Sequence, residues 1–244
     1  MSICSRFGLA LSLGLAAAAH AAAPAPSACQ AHSAITLTPV IELYTSEGCS
    51  SCPPADKWVS SLKAAAAQGR VVVEAFHVGY WDYIGWVDRF AQPSHTARQR
   101  ELAVSNHLAG IYTPQVLRNG KDWRGYPAAL GEAQAARASI EIRGQGPDAY
   151  EAIVMPTDTT MAWSAYWTVT EHDHYSRVKA GENSGEFLKH DFVVREYVAA
   201  GVRKGAARLS LRAIAADKDH PRQVNLVVFD VNDGRPLQAL SVGC

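Results

Sequence analysis

The chain has 244 residues, of which 48% are hydrophobic and 19% are charged, and its formal net charge is zero. This composition supplies enough apolar side chains for a packed core and excludes an intrinsically disordered chain. The balanced charge gives no basic surface for nucleic acid or for an anionic membrane. The length favours a medium-sized domain with a smaller second one.

The N-terminal segment, residues 1–23, has the pattern of a cleavable signal peptide. Arg6 supplies a short positive region, Leu9–Ala19 an apolar run, and Ala19-His20-Ala21 or Ala21-Ala22-Ala23 a small-residue cleavage site. The apolar run is too short to span a bilayer comfortably, and no later run is long enough either. We therefore expect an exported protein without a membrane span, either periplasmic or secreted.

Export leaves an even number of cysteines, because Cys4 is removed with the signal peptide. An even number in an oxidising compartment favours disulfides. Cys49 and Cys52 form a local pair, which leaves Cys29 and Cys244 for a structural bridge between the two ends of the mature chain. In the chain-entropy model, closing so long a loop stabilises the fold by roughly 5 kcal/mol. The alternative is that the two terminal cysteines are free thiols.

The stretch Val40–Asp56 places the C-x-x-C pair between a predicted strand and a predicted helix. A dithiol at a helix N-terminus suits thiol–disulfide exchange, because N–H groups stabilise a thiolate and the short spacing lets the second sulfur reach the first. Cys49, expected to be the more exposed cysteine, is the predicted nucleophile, and Cys52 resolves the mixed disulfide. Two prolines follow Cys52, so the regular helix is expected to begin at or after Cys52.

Strands and helices alternate over the next residues. Apolar residues at helical spacing follow the cysteines, and Val71–His77 is a β-branched strand of buried type. Strand, helix and strand at this distance predict a βαβ unit with parallel strands. The later predictions are a helix over Ser94–Leu108, a hairpin turn at Asn119-Gly120, a strand over Asp122–Tyr126 and an Ala-rich helix from Pro127 to about Ala138.

Beyond Gly144 the pattern changes to short alternating segments separated by turn residues. This pattern predicts a mainly antiparallel β domain. Its expected strands are Glu151–Met155, Met161–Thr170, Phe192–Tyr197, Arg208–Ile214, Gln223–Val231 and Leu237–Val242. The predicted organisation is a signal peptide over residues 1–23, a first domain over 24–144 and a β-rich domain over 145–244.

The order of motifs in the first domain resembles the thioredoxin fold. The resemblance rests on Cys49-Ser-Ser-Cys52 and on Tyr112-Thr113-Pro114 with the QVLRNG segment after it. In thioredoxin-like proteins a cis-proline faces the dithiol, and the residue before it offers backbone hydrogen bonds to a bound chain. The resemblance assigns these roles to Pro114 and Thr113. The predicted fold class is α/β, a thioredoxin-like domain followed by a mainly antiparallel β C-terminal domain.

The same resemblance makes Glu42 a candidate for the buried acid that exchanges a proton with the resolving thiol. A carboxylate beneath a dithiol would have a raised pKa through burial. The alternative is a glutamate at a strand edge that faces water. Two departures from ordinary thioredoxins are Gly48, where a tryptophan usually precedes the first cysteine, and the prolines after the second.

At closer range, nearly all of the mature chain is similar to an exported bacterial family of unknown function with a thioredoxin-like domain. The recurring blocks are ELYTSEGCSSCPPAD (Glu42–Asp56), HVGYWDYIGW (His77–Trp86), TARQ (Thr96–Gln99), YTPQ (Tyr112–Gln115) and GEN (Gly181–Asn183). This similarity implies a fold and export, and it implies no assigned reaction.

The segment Val78–Asp88 is dense in aromatic residues and follows a strand, at the end where α/β folds place their sites. Its aromatic rings suit a groove for an extended peptide or an apolar ligand, or they cover the end of the sheet as core. The predicted substrate-binding residues are Thr113, His77, Trp81, Asp82 and Gln115, with Gln99 near the same cleft.

Two histidine-rich segments of the β region, Glu171–His174 and His190-Asp191, contain metal-ligand residue types. Their spacing matches no strong metal motif, so the sequence favours solvated strand ends, and no metal ligand is assigned.

The favoured function is an exported thiol–disulfide oxidoreductase. It would act on a protein or small thiol or disulfide substrate with an unknown redox partner, and it needs no cofactor. One alternative is a non-catalytic binding protein with a structural Cys49–Cys52 disulfide. Another is a carrier of Cu(I) or another metal on the two thiolates, with His77 as a third ligand.

Overall fold

The computed structural model describes residues 29–128 and 130–244, and the predicted signal peptide (residues 1–23) lies outside them. Among the described residues, no helix is both long and apolar enough to cross a membrane. The elements follow in the order β1 (Gln30–His32), β2 (Val40–Thr45), α1 (Pro53–Ser60), α2 (Lys63–Ala67), β3 (Val72–His77), α3 (Pro93–Ser105), β4 (Gln115–Arg118), β5 (Lys121–Asp122), β6 (Ala138–Gly144), β7 (Ala149–Pro156), β8 (Ala162–Glu171), β9 (His174–Arg177), β10 (Phe187–His190), β11 (Val193–Lys204), β12 (Ala207–Arg212), β13 (Arg222–Asp230) and β14 (Pro236–Val242).

An eight-stranded sheet with the order β14-β13-β8-β11-β3-β2-β4-β5 forms the centre of the protein. Its strands β2 and β3 pair in parallel, with Val40 opposite Val72 and Thr45 opposite His77. Every residue of these two strands is buried, as expected of a parallel pair that is covered on both faces. The predicted βαβ unit is therefore present.

Alternation along β2 and β3 divides their side chains between two layers. On one face, Ile41 packs with Ala55 of α1. On the other face, Tyr44 and Phe76 pack with Leu102 of α3. The two helices thus cover opposite faces of the parallel pair.

A second sheet, with the order β1-β6-β7-β12, packs on the C-terminal part of the first. The facing side chains include Ile140 and Ile142 of β6 with Trp163 and Trp167 of β8. Burial alternates along β6, as in a strand with one face on the core and one in water. This part of the protein is a β-sandwich.

The fold-class prediction, a thioredoxin-like α/β domain followed by a separate β domain, is wrong. The protein consists mostly of strands in several sheets. Val193 of β11 lies opposite Ala75 of β3 in parallel, and β11 then pairs with β8. One sheet therefore contains strands from both predicted regions, which local periodicity could not indicate. The domain limits, 24–144 and 145–244, stay a prediction.

The helix predicted from Pro127 to about Ala138 is also wrong for the residues described there. The backbone of this segment bonds to residues 34–37 instead of to itself: Leu37 N–H donates to Gln134 O, and Ala136 N–H donates to Ile35 O. These tertiary hydrogen bonds outweigh the helix propensity of the alanines. The strand predicted over Asp122–Tyr126 is wrong beyond its first residue, because only Asp122 belongs to a strand, β5.

The parallel register also places two carboxylates side by side, because Glu42 lies opposite Glu74. Both are buried. Arg98 of α3 forms an ion pair with Glu42, with Nη2 and Oε2 2.9 Å apart. Glu74 accepts hydrogen bonds from Tyr166 Oη (2.9 Å) and Thr168 Oγ1 (2.6 Å). Burial, followed by repulsion from Glu42, raises the pKa of Glu74 to about 7.

We expect Glu74 to make the fold less stable as the pH rises. A carboxyl with a higher pKa in the folded than in the unfolded state stabilises the fold while it is protonated. For Glu74 this contribution is complete below the unfolded pKa of 4.5 and is lost as the pH rises through about 7. Between pH 5 and pH 8, the free energy of unfolding of wild type should fall by roughly 1–3 kcal/mol more than that of Glu74→Gln. Urea unfolding at each pH measures both values. Glu101→Gln, on the exposed side of α3, is the control and should keep the wild-type slope. Parallel slopes for Glu74→Gln and wild type would contradict the prediction.

A disulfide joins Cys29 and Cys244, whose Cα atoms are 5.9 Å apart and whose sequence separation is 215. Replacing both by serine should lower the free energy of unfolding by roughly 2–5 kcal/mol, because the denatured chain regains the entropy of the open loop. Urea unfolding of the double variant measures the loss. A mild reductant should destabilise wild type more than this variant, and an equal response would show that the bridge contributes little.

Candidate functional site

The turn Cys49–Cys52, here called the CSSC turn, follows β2 and leads into α1. Its two cysteines form a disulfide with Cα atoms 5.4 Å apart. Helix α1 begins at Pro53, with Cys52 as its capping residue, so the predicted helix start is confirmed. The first two helical positions are prolines and lack N–H groups, so the helix start offers fewer donors to a cysteine thiolate than an ordinary first turn.

Both sulfur-bearing residues are hidden from solvent, with Cys49 1% and Cys52 0% exposed. The difference in exposure is negligible, so solvent access does not distinguish Cys49 from Cys52, and the assignment of Cys49 as the nucleophile stays a prediction. A loop from the C-terminal region, Gly181–Asn183, covers the CSSC turn. Glu182 Oε2 accepts the N–H of Ser50 at 2.9 Å. Asn183 Nδ2 donates to the carbonyls of Glu47 (2.9 Å) and Cys49 (3.0 Å).

The aromatic segment after β3 packs against the same turn. A Cβ on Gly48 would lie 3.0 Å from Trp81 Cβ, so the close approach of Trp81 requires glycine where thioredoxins carry tryptophan. Trp86 Nε1 donates to Glu47 Oε2 at 2.7 Å. A Cβ on Gly181 would lie 3.2 Å from Ile84. The predicted aromatic groove is thus, in large part, a cover over the turn.

An open groove of about 410 Å³ begins at Ser51. The Thr113–Pro114 peptide bond on its wall is cis, and Trp81 Nε1 donates to Thr113 Oγ1 at 2.7 Å. The Oγ atom of Ser51 is 3.4 Å from Cys49 Sγ. The groove is lined by Ser51, Tyr112, Thr113, Pro114, Val116, Trp123, Arg124 and Tyr126.

Gln99 and Gln115 lie beneath this groove and are buried. Gln99 Nε2 donates to Tyr112 O (2.8 Å) and to Gln115 Oε1 (2.9 Å). Gln115 Nε2 and Tyr112 Oη both donate to Asp122 Oδ1. The two glutamines therefore hold the Tyr112–Pro114 segment in place and do not line the groove.

Glu42 is not brought to the cysteines. Its carboxylate bonds with Arg98 and with Tyr44 Oη (3.1 Å), on the α3 face of the sheet. Cys52 lies at the start of α1, on the opposite face. Alternation of side chains along β2 causes this separation.

A buried polar cluster lies at the end of β3. His77 Nδ1 is 2.7 Å from Asp88 Oδ2, and the same carboxylate oxygen accepts the N–H of Glu47 at 2.9 Å. Burial opposes ionisation of Asp88, but His77 and these hydrogen bonds hold its pKa below the ordinary value. Half-buried Asp82 accepts the N–H of Asp88 at 3.1 Å, and burial raises the pKa of Asp82.

His190, the last residue of β10, completes the cluster. Its Nε2 is 3.3 Å from Glu47 Oε1, and its Nδ1 is 3.6 Å from Asp56 Oδ1. Burial disfavours the imidazolium, but Asp56 and Glu47 raise the pKa of His190 to about 10. His190 and Asp191 are both buried, so the prediction of a solvated strand end at this point is wrong.

Four residues of the cluster were missed as site residues: Glu47, Asp56, Asp88 and His190. Two of them, Glu47 and Asp56, belong to the same sequence block as the cysteines. His190 was noted for its residue type, but no sequence pattern connects it with α1. Hairpin β9–β10 makes that connection only in the fold.

The fold and the site define a β-rich protein in which a disulfide-bonded CSSC turn lies over a buried histidine and carboxylate cluster. The chain belongs to the family described as "Protein of unknown function (DUF1223)", whose sequence model matches residues 40–230. The X-ray crystal structure of a protein from Agrobacterium tumefaciens is similar, with 26% identity and a TM-score of 0.64 over 84% of this chain and 94% of that one. No curated protein matches the chain.

We expect Asn183→Ala to expose the CSSC disulfide. Two buried carbonyls would lose their donor, which lowers the free energy of unfolding by about 1–3 kcal/mol, and the loop over Cys49 would loosen. The rate of reduction by dithiothreitol, followed by thiol trapping and mass spectrometry, should rise several-fold. Asn232→Ala, in an exposed turn, is the matched control. An unchanged rate in a folded Asn183→Ala protein would show that this loop does not limit access.

Proposed function

We propose that the protein is an exported thiol–disulfide oxidoreductase, located in the periplasm or secreted, that uses the Cys49–Cys52 pair. The observation that carries the proposal is the position of the disulfide beside the groove that Ser51, Thr113 and Pro114 line. A protein or small thiol or disulfide is the substrate class, because such a groove accepts an extended chain next to the sulfurs. The family description leaves the reaction open.

In the reducing direction, the Cys49 thiolate attacks one sulfur of the substrate disulfide, and the other substrate sulfur leaves as a thiolate. The Cys52 thiolate then attacks the Cys49 sulfur. This step forms the Cys49–Cys52 disulfide and releases the second substrate thiolate. The substrate gains two electrons and the pair loses two, so a separate thiol reductant must restore the dithiol. The reverse sequence oxidises a substrate dithiol.

The burial of Cys49 requires a movement before either direction can start. The hydrogen bond between Glu182 and the N–H of Ser50 is exposed, whereas those of Asn183 are buried. In this scheme the loop Gly181–Asn183 opens first at Glu182. The hydroxyl of Ser51 lies near enough to Cys49 Sγ to donate a hydrogen bond to a thiolate. Thr113 and Pro114 hold the substrate chain in this scheme, and Trp81 supports Thr113.

A second candidate is a binding protein in which the Cys49–Cys52 disulfide is structural. The burial of both cysteines favours it, since labile or catalytic disulfides are the exposed or strained ones. In that case the groove at Ser51 is the recognition surface. A metal carrier that binds its ion through the two thiolates would need Cys49 and Cys52 in the reduced form, whereas the structure has them as a disulfide.

A redox titration of the exported chain against glutathione distinguishes the two candidates. An exchange catalyst is expected to have a potential between about −120 and −270 mV. Thiol trapping and mass spectrometry give the fraction of Cys49 and Cys52 that is reduced. The Cys29→Ser, Cys244→Ser variant is the control, because it leaves the CSSC pair as the cysteines that titrate.

A potential below roughly −300 mV would mark a structural disulfide and would overturn the oxidoreductase proposal. A potential in the catalytic range should be accompanied by turnover in an insulin-reduction assay. The Cys52→Ser variant should then accumulate mixed disulfides through Cys49, because the resolving sulfur is missing.

A further inference from the structure

We propose that Asp56, His77 and His190 bind one divalent transition-metal ion beneath the CSSC turn. One ligand atom from each of the three side chains lies within 4.8 Å of the others, and all three residues are buried. Helix α1, strand β3 and strand β10 each contribute one of them. Two imidazoles and one carboxylate form a donor set that suits Zn(II), Fe(II) and similar ions. This site goes beyond the proposed redox function and uses neither cysteine.

Unpartnered polar atoms point to a ligand at this position. His77 Nε2, both ring nitrogens of His190 and Glu47 Oε1 are buried without a hydrogen-bond partner among the described residues. A buried polar atom without a partner typically costs about 1–3 kcal/mol, so several in one cluster are unusual. Coordination by His77 Nε2 and His190 Nδ1 would satisfy two of them.

The remaining ring nitrogens are held as in known metal sites. A histidine that binds a metal almost always donates its other N–H to a carboxylate, a carbonyl or a water. His77 Nδ1 is 2.7 Å from the Asp88 carboxylate, and His190 Nε2 is 3.3 Å from Glu47 Oε1. The hydrogen bond to Asp88 orients His77, whereas His190 Nε2 only lies at ion-pair distance from Glu47. His77 Nε2 and His190 Nδ1 are the nitrogens left to bind an ion.

The third ligand is positioned in the same way. Asp56 Oδ2 accepts a hydrogen bond from Thr45 Oγ1 at 2.8 Å. Its other oxygen, Oδ1, is directed to His190 Nδ1 at 3.6 Å. One oxygen of Asp56 is thus fixed by β2, and the other is available to an ion.

Charge favours a cation at this position. Three buried carboxylates, those of Glu47, Asp56 and Asp88, surround the two histidines. Buried charges are normally paired or bound to metal, and one dication would supply two compensating charges. A protonated His190 supplies one.

An ion also has a path to the site. A surface groove of about 390 Å³ runs between α1 and β10, and both Asp56 and His190 line it. His77 is fully buried and does not line this groove. The ligand set, its supporting contacts and a route of entry are therefore all present.

The test is metal titration of the chelator-treated, oxidised protein with Zn(II) and with Co(II). We expect one Zn(II) per chain and a rise in the thermal midpoint with Zn(II) concentration. Bound Co(II) should show visible d–d bands without the near-ultraviolet sulfur-to-cobalt charge-transfer band. The Cys49→Ser, Cys52→Ser variant should bind both ions as wild type does.

Variants assign the ligands. His190→Gln and Asp56→Asn should lose stoichiometric binding, and Asp88→Asn should bind Zn(II) about 10–100-fold more weakly. His220→Gln, a partly buried histidine outside the cluster, is the matched control and should bind normally.

Failure of wild type to bind one ion per chain would overturn the proposal and leave a protonated His190 as the bridge between Glu47 and Asp56. A sulfur charge-transfer band, or binding lost with the cysteines and kept in His190→Gln, would also overturn it. The wild-type Co(II) spectrum decides the question even if a variant does not fold. Because the oxidised chain is used, the result is independent of thiol exchange.

Discussion

The position of β3 between β2 and β11 is the constraint on which the rest of the structure depends. On one side, β3 forms a parallel pair with β2, which fixes the start of the CSSC turn. On the other side, the contact between Ala75 and Val193 draws β11 and its partner β8 into the same sheet. The hairpin β9–β10 comes just before β11 in the chain. Pairing of β11 with β3 therefore also brings His190 and the loop Gly181–Asn183 to the cysteines.

Alternation along β3 then distributes the buried charge between the two faces of the sheet. Glu74 faces α3 and lies beside Glu42, whose carboxylate forms the ion pair with Arg98. His77, three residues later, faces α1 and the carboxylates around it. A buried carboxyl with few counter-charges shifts its pKa upward, whereas one with a cationic partner stays ionised. The first face therefore holds a carboxyl with a raised pKa, Glu74, and the second is the face on which we propose a cation site.

Local features of this protein and the pairing of strands close in the chain could be predicted from the sequence, while the pairing of distant strands could not. The runs at β2, β3 and α3 and the helix start after Cys52 follow from apolar spacing and from the two prolines. The insertion of β11 beside β3 follows from no local pattern, because an apolar strand suits many partners. Glu42 illustrates the consequence for the site. Its burial was one of two predicted alternatives. Which face of the sheet it occupies depends on where α1 and α3 pack, so the role taken from the resemblance assigned it the wrong partners.

Glu47 connects the CSSC turn with the buried cluster. Its N–H donates to Asp88, its carbonyl accepts from Asn183, and its side-chain oxygens meet Trp86 and His190. These contacts join the turn to the aromatic segment after β3, to the loop Gly181–Asn183 and to the end of β10. Cys49 is two residues away, and its own carbonyl shares the donor of Asn183. Glu47 therefore lies between His190 and the cysteines, in contact with one and two residues from the other. The Cys49–Cys52 disulfide and the cluster share no side chain, and Glu47 is a residue that contacts both the turn and the cluster.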